Sequence, residues 1–335
     1  MAQKLRIGIN GFGRIGRILF RQAFDNFEIV GVNNGSGSIE NQAHFLKYDS
    51  AHGRFDKKVE FDEKNLIVDN KKIPISFEKD PSNIPWGDWG ADIVLECTGV
   101  FKDTAANQKH IASGAKKVIV SAPAKVDATF VYGINHSNYD SAKHNVVSNA
   151  SCTTNCLAPV AKVLNDTFGI ETALMTTIHS YTNDQRVLDS SHRDLRRARA
   201  AAVSMIPTST GAAAAVGLVL PDLEGKIHGI SVRVPTPNVS LVDLVANVKK
   251  EVTAEQVNEA FLKAASGELK GVLACTSDPV VSVDMNGMKD SSIIDLENTS
   301  VMGGKMVKVL SWYDNEVGFS CRMLDLAKYM AEQGL

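Results

Sequence analysis

The 335-residue sequence has no uninterrupted apolar run approaching the roughly 20 residues of a membrane span. Its start, MAQKLRIGIN, has neither an apolar signal core nor a cleavage pattern. Both absences predict a cytosolic protein with no membrane segment. Neither sign of charge is in excess: Lys and Arg number 36, Asp and Glu 38, for a formal net charge of −2. No global electrostatic case for nucleic acid or a membrane surface follows. Cysteine is scarce and odd in number, at Cys97, Cys152, Cys156, Cys275 and Cys321. In a long chain without a secretory signal, that argues against a disulfide framework. No second Cys/His pair stands at finger-like spacing, so no metal site is expected. Internal repeats and low-complexity tracts are also missing. What remains is ordinary for a soluble enzyme: 44% hydrophobic and 22% charged residues, in a chain too long for one small core.

The first part of the chain alternates short apolar strands with helices. LRIGIN (5–10) reads as a buried strand, and GRIGRILFRQAF (13–24) switches to helical spacing. EIVGVN (28–33), ADIVLECTG (91–99), KKVIVSAP (116–123) and NVVSNAS (145–151) are further strands. This pattern predicts an α/β fold with a Rossmann-type, doubly wound parallel sheet. The more polar stretch 34–86 reads as hairpin decoration. After Cys156 the character changes. A helix at 157–169 is followed by long alternating strands in TALMTTIHSYT, HGISVRVPTPNVSLVDLVANV and KMVKVLSWYDN, which predict a second α+β domain with a mostly antiparallel sheet. TAEQVNEAFLKAAS (253–266), opening on a Thr cap and a glutamate, is a helix. The expected division is 1–150 for dinucleotide binding and 151–315 for catalysis, with a C-terminal helix at 316–335 packing back on the first domain.

NGFGRIG (10–16) places Gly11, Gly13 and Gly16 in G-x-G-x-x-G spacing, directly after a strand and opening a helix. The first glycine permits the tight turn, the second the approach of a pyrophosphate, and the third close helix–strand packing. The helix N-terminus then offers N–H groups to phosphate. An acid is expected at the end of the second strand to bind the adenosine ribose. The sequence has Asn34 there, followed by Gly35, Ser36, Gly37 and Ser38. An amide does not repel a 2′-phosphate as a carboxylate does, and the loop leaves room for one. The loop alone leaves NAD and NADP open.

SNASCTTNC (148–156) sets two cysteines four apart among hydroxyl and amide residues. Cys152 follows a strand and precedes a helix beginning near Cys156, where a thiolate gains from the helix N-terminus. An activated thiol needs a base, and His179 in TTIHSYTND is the best candidate. Histidines 44, 52, 110, 136, 144, 192 and 228 lie in polar, loop-like contexts with surface or structural roles. Cys156 reads as a small packed residue, with a resolving thiol as the alternative. Cys97, Cys275 and Cys321 read as core. A dinucleotide site with a reactive cysteine suggests aldehyde oxidation through a thioester. Arg197 and Arg199 in RDLRRARA, Arg233 in SVRVPTP, and the hydroxyls of PTSTG (207–211) are candidates for a phosphate. A salt-bridged surface is the alternative for the arginine run.

These residues resemble the phosphorylating glyceraldehyde-3-phosphate dehydrogenases, almost end to end: INGFGRIGR, KYDSAHGRF, ECTGVF, SAPAK, SNASCTTNCLAP, HSYTNDQ, RRARAAA, IPTSTGAA, RVPTP and SWYDNEVGFS. The resemblance implies a homotetramer that oxidises and phosphorylates D-glyceraldehyde 3-phosphate, with Cys152 as nucleophile and His179 as its activator. It implies that Ser151, Thr153, Thr182, Arg197, Thr210, Gly211 and Arg233 hold the substrate phosphate and inorganic phosphate. Cofactor contacts would fall on Arg14, Ile15, Asn34, Lys79, Ser121 and Asn315, with Asn315 orienting the nicotinamide amide. Two departures stand out. Members that use NAD usually have Asp, often followed by Pro, where this chain has Asn34 and Gly35. They usually have Leu-Pro where it has Ser190 and Ser191. In NADP-capable members the serine matching Ser191 reaches a neighbouring subunit's cofactor, so NADP or dual specificity is expected. An erythrose-4-phosphate dehydrogenase and a catalytically silent dinucleotide sensor or partner-binding protein are the alternatives.

Overall fold

The computed structural model describes residues 4–335. They fall into two compact units: residues through 132 with 136–150 and 320–335, and residues 133–135 with 151–319.

The first unit opens on β1 (Arg6–Asn10), α1 (Arg14–Ala23) and β2 (Glu28–Asn33). Then come α2 (Ile39–Lys47), a small hairpin of β3 (Tyr48–Asp49) and β4 (Gly53–Arg54), and a meander of β5 (Val59–Phe61), β6 (Asn65–Val68) and β7 (Lys71–Ser76). After these follow α3 (Trp86–Trp89), β8 (Ile93–Glu96), α4 (Thr104–Ala112), β9 (Lys117–Val120), β10 (Ala128–Thr129) and β11 (Val146–Ser148). The sheet order is β10-β11-β9-β8-β1-β2-β7-β6-β5. From β10 to β7 every pairing is parallel. Ile7, Ile9, Val94 and Leu95 are fully buried, because central parallel strands are covered on both faces. Gly8 and Gly31 make room for indoles: a Cβ would stand 2.5 Å from Trp86 at the first and 2.0 Å from Trp89 at the second.

The stretch 34–86 is more than decoration. It holds α2, capped by Ser38, and β7 extends the main sheet in parallel with β2. The C-terminal helix α8 (Val317–Gln333) contributes residues from 320 onward to this unit, where the Tyr139 hydroxyl donates to the Gly334 carbonyl at 3.2 Å.

The second unit contains α5 (Cys152–Phe168), β12 (Ile170–Ser180), β13 (Ile206–Ser209), α6 (Ala212–Val219), β14 (Ile227–Val234), β15 (Ser240–Val248), α7 (Ala254–Ser266), β16 (Leu273–Thr276), β17 (Ser292–Met302) and β18 (Met306–Tyr313). Its order is β13-β14-β12-β15-β18-β17-β16. Four pairings are antiparallel, and β12–β14 and β16–β17 are parallel. Alternation decides the faces. Val242, Leu244 and Ala246 on β15 and Val307 and Val309 on β18 are fully buried on the side of α5. Their neighbours Leu241, Val245, Leu310 and Trp312 are half-buried. The helix α7 opens on a capping box between Thr253 and Gln256, so the glutamine, not the glutamate beside it, is the reciprocal partner.

Candidate active site

A cavity of about 470 Å³ lies in the first unit, lined among others by Gly11, Gly13, Asn34, Lys79, Cys97 and Thr98. It sits at the carboxyl ends of β1, β2 and β8, where the sheet order runs outward in opposite directions from β1, the usual ligand position of a doubly wound fold. Gly11 has φ +89°, a region that side chains disfavour. A Cβ on Gly16 would stand 2.0 Å from the Gly11 carbonyl oxygen, so only glycine lets α1 lie this close. Gly13 is exposed, and a Cβ built there meets nothing within 4 Å. α1 has no side-chain cap and no acid in its first turn, which suits an anion at its N-terminus. These features fit the pyrophosphate of a dinucleotide.

Asn34 ties the cavity wall together. Its Oδ1 accepts the Phe12 N–H at 3.0 Å and its Nδ2 donates to the Ser36 carbonyl at 2.7 Å. Arg14, Ile15 and Ser121 are not part of the lining. Arg14 instead pairs with Asp49 at 2.5 Å, and the Ser121 N–H donates to the Glu96 carbonyl at 2.9 Å. Ser191 belongs to the second unit, exposed beside a surface depression formed with Arg186, His192 and Arg193.

The thiol site lies wholly within the second unit. α5 begins at Cys152 itself, four residues earlier than the sequence suggested, because the Ser151 hydroxyl accepts the Thr154 N–H at 3.0 Å and caps it. Immediately before the cap, Ala150 takes φ +57°, a left-handed conformation uncommon outside glycine. Cys152 Sγ lies 3.5 Å from His179 Nε2. His179 Nδ1 lies 2.7 Å from the Ser180 carbonyl, which can only accept, and 3.2 Å from Arg233 Nη1, which can only donate; the shorter contact assigns the proton to Nδ1 and turns the Nε2 lone pair to the sulfur. Arg233 Nη1, at 3.2 Å from Nδ1, donates to the Ser180 carbonyl and to Thr182 Oγ1 at 3.2 and 3.3 Å. It has no carboxylate at ion-pairing distance among the described residues, and its Nε is buried without a partner.

Burial pushes the His179 imidazole down to about 3, helped by the charge of Arg233. Burial pushes the Cys152 thiol up, while Arg233 and the Thr153 hydroxyl and N–H pull it back. The resting pair is a thiol facing a neutral base, and shifting the proton across it leaves the net charge unchanged.

Around the pair, the Tyr313 hydroxyl bridges Thr153 Oγ1 at 2.9 Å and Thr177 Oγ1 at 2.8 Å, and its ring meets His179 edge-on at 6.0 Å. Asn315 Oδ1 accepts from the hydroxyls of Ser180 and Ser240 at 2.9 and 3.0 Å, which leaves its NH₂ as the end available to a ligand. Arg197 donates to Asp184 at 2.5 Å, to Thr208 Oγ1 at 3.0 Å and to the Ser209 carbonyl at 3.3 Å. That brings it beside Thr210 and Gly211, which open α6. Arg199 pairs with Asp189 on the surface.

Two readings of the cysteines and histidines change. Cys97, Cys275 and Cys321 are half-buried, and Cys97 lines the cavity of the first unit; only Cys156 is fully buried, its thiol pushed up to about 12 by burial. That makes Cys156 a packed residue rather than a resolving thiol. His110, expected in a polar loop, is fully buried in α4. Tyr313 and Glu96 were missed: each sits in a strand-like run and gives no sign locally of the partners it meets.

A Rossmann-type sheet joined to a unit carrying a thiol–imidazole pair defines the class of nicotinamide-linked dehydrogenases. The family model described as the NAD binding domain of glyceraldehyde 3-phosphate dehydrogenase matches residues 5–104, and that of the C-terminal domain matches 151–315. Glyceraldehyde-3-phosphate dehydrogenase 1 of Bacillus subtilis is 58% identical over 99% of each chain. Glyceraldehyde-3-phosphate dehydrogenase 2 of the same organism is 53% identical over 98% of this chain and 97% of its own. The Nostoc sp. glyceraldehyde-3-phosphate dehydrogenase 2 is 53% identical over 98% and 99%. The chain belongs to the glyceraldehyde 3-phosphate dehydrogenase family.

Proposed function

We propose that the chain catalyses the reversible oxidative phosphorylation of D-glyceraldehyde 3-phosphate to 1,3-bisphosphoglycerate, with residues 1–150 binding the dinucleotide and 151–315 carrying the chemistry. The observation behind this is the 3.5 Å approach of Cys152 Sγ to a His179 whose free lone pair faces it. The thiol gives its proton to Nε2, and the sulfur adds to the aldehyde carbon. Nε2 returns that proton to the oxyanion formed by the addition, and the neutral His179 then takes it back as base when the hydride leaves, so that a thioester remains on Cys152 beside an imidazolium. The nicotinamide, when bound, supplies the acceptor for the hydride. Inorganic phosphate displaces the sulfur, releasing the acyl phosphate and regenerating the thiolate. Arg233 with Thr182, and Arg197 with Thr210 and Gly211, are the two cationic sites for phosphate, and Ser151 and Thr153 add hydroxyls. Asn315 offers its NH₂ to the nicotinamide carboxamide.

The cofactor is NADP or either nucleotide. The neutral Asn34, the small Gly35 and Ser36 and the cation of Lys79 all line the cavity, although Glu78 lines it too. Ser191 would contribute from a neighbouring subunit of a homotetramer. Assembly is supported by the exposed Val187, Leu188, Leu195, Val203 and Met205, all in one segment of the second unit. No helix among the described residues is long and apolar enough to cross a membrane, and a working thiol fits the reducing cytoplasm.

Steady-state kinetics with each nucleotide, with and without inorganic phosphate, test this reading. A phosphate-dependent rate on glyceraldehyde 3-phosphate, with kcat/KM for NADP at least equal to that for NAD, is expected. A phosphate-independent rate, with release of the acyl group to water, contradicts the reaction. A kcat/KM strongly favouring NAD contradicts the cofactor assignment.

A further inference from the structure

We propose that the buried carboxylate of Glu96 is a positioning residue for the nucleotide cavity, held in orientation by His110 and Trp86; this rests on the nucleotide-binding reading above. Glu96 ends β8, and both it and His110 are fully buried. Its Oε1 accepts the Thr98 N–H at 2.7 Å and the Thr98 hydroxyl. Its Oε2 accepts Asn10 Nδ2 at 2.5 Å and faces His110 Nε2 at 3.1 Å. Trp86 Nε1–H donates to His110 Nδ1 at 2.9 Å, so the ring proton sits on Nε2 and points at the carboxylate.

A carboxylate that only accepts dictates the orientation of each group around it. Asn10 must present its NH₂ to Glu96, which leaves its Oδ1 to accept Asn33 Nδ2 at 2.7 Å. Asn33 in turn points its Oδ1 at the Ser76 hydroxyl and the Glu78 N–H, both at 2.8 Å. Asn10, Asn33, Glu78 and Thr98 all line the cavity. The carboxylate thereby fixes four positions of the wall contributed by the ends of β1, β2, β7 and β8.

Glutamine has the same shape but cannot take this place. Its NH₂ would meet the Thr98 N–H at one end, or Asn10 Nδ2 and His110 Nε2–H at the other. The Thr98 N–H is backbone and cannot reverse. His110 cannot change tautomer while Trp86 occupies Nδ1. A flip of Asn10 passes to Asn33 and ends against the Glu78 N–H. Every arrangement leaves one buried donor facing another.

The test is calorimetric titration of full-length Glu96→Gln with NAD and with NADP, alongside the parent. Dissociation constants at least tenfold weaker are expected. Iodoacetamide labelling of Cys152, in the other unit, stays within twofold, and kcat at saturating nucleotide within about threefold. A folded Glu96→Gln that binds both nucleotides like the parent overturns the proposal. Should that variant not fold, His110→Phe leaves the carboxylate in place but removes one donor and is expected to bind about fivefold more weakly; unchanged binding there is equally decisive against it. A parent that binds neither nucleotide overturns the nucleotide-binding reading and this inference together.

Discussion

The imidazole of His179 has a consequence for stability as well as for reactivity. In the fold it stays neutral down to about pH 3, whereas an unfolded histidine takes a proton near 6.5. Its contribution is complete above 6.5. Between there and 3 only the unfolded chain gains the proton, so the fold loses about 2 kcal/mol from this group by pH 5. Denaturant unfolding of His179→Gln should therefore show a smaller fall in stability between pH 7 and pH 5 than the parent. The same variant leaves the sulfur without a proton acceptor. Alkylation of Cys152 at pH 7 should slow by about tenfold or more and keep rising toward pH 9, since the thiol must then ionise alone against its burial. An unchanged alkylation profile would show that the imidazole does not activate the thiol.

At the scale of elements, one hydroxyl decides where the proposed nucleophile sits. Ser151 caps α5, and this makes Cys152 the first helical residue, where the free N–H groups of the first turn favour a thiolate. Ser151→Ala should cost about 1 kcal/mol in thermal or denaturant unfolding. It should also slow alkylation of Cys152, whereas a pure stability effect would leave labelling untouched. Helices were legible in the sequence where burial follows an apolar stripe, as in α1 and α7. They were not legible where burial is polar or uniform. α4 buries Asn107 and His110, and α2 buries Gln42 beside Ala43 and Leu46. α6 is apolar on all sides, so no face stands out. The start of α5 was missed because Thr153, Thr154 and Asn155 read as a loop, although all three are buried.

At the scale of the molecule, the doubly wound sheet was legible in β1, β2, β8, β9 and β11, apolar runs followed closely by Gly, Ser, Pro or Asn with the glycine turn at the first crossover, but not in β7, whose KKIPIS lies in a polar stretch, nor in the two-residue β10. The second sheet was legible as alternating strands in β12, β14, β15 and β18, but not in β13, β16 and β17, nor in its two parallel pairings, which no local pattern encodes. The chemical site divides in the same way. Cys152 and His179 announce themselves by residue type. The bridge from Tyr313 to Thr153 spans 160 residues of chain, and the clasp of Asp184 on Arg197 joins a loop to itself, so neither has a local signature. The proposed reaction turns on one sulfur that would hold the acyl group between oxidation and phosphorolysis. The direct measurement is mass spectrometry of the protein incubated with glyceraldehyde 3-phosphate and oxidised nucleotide, without inorganic phosphate. The account predicts a 3-phosphoglyceroyl adduct on the Cys152 peptide that disappears when phosphate is added. Turnover with no adduct on Cys152, or an adduct on another residue, would contradict it.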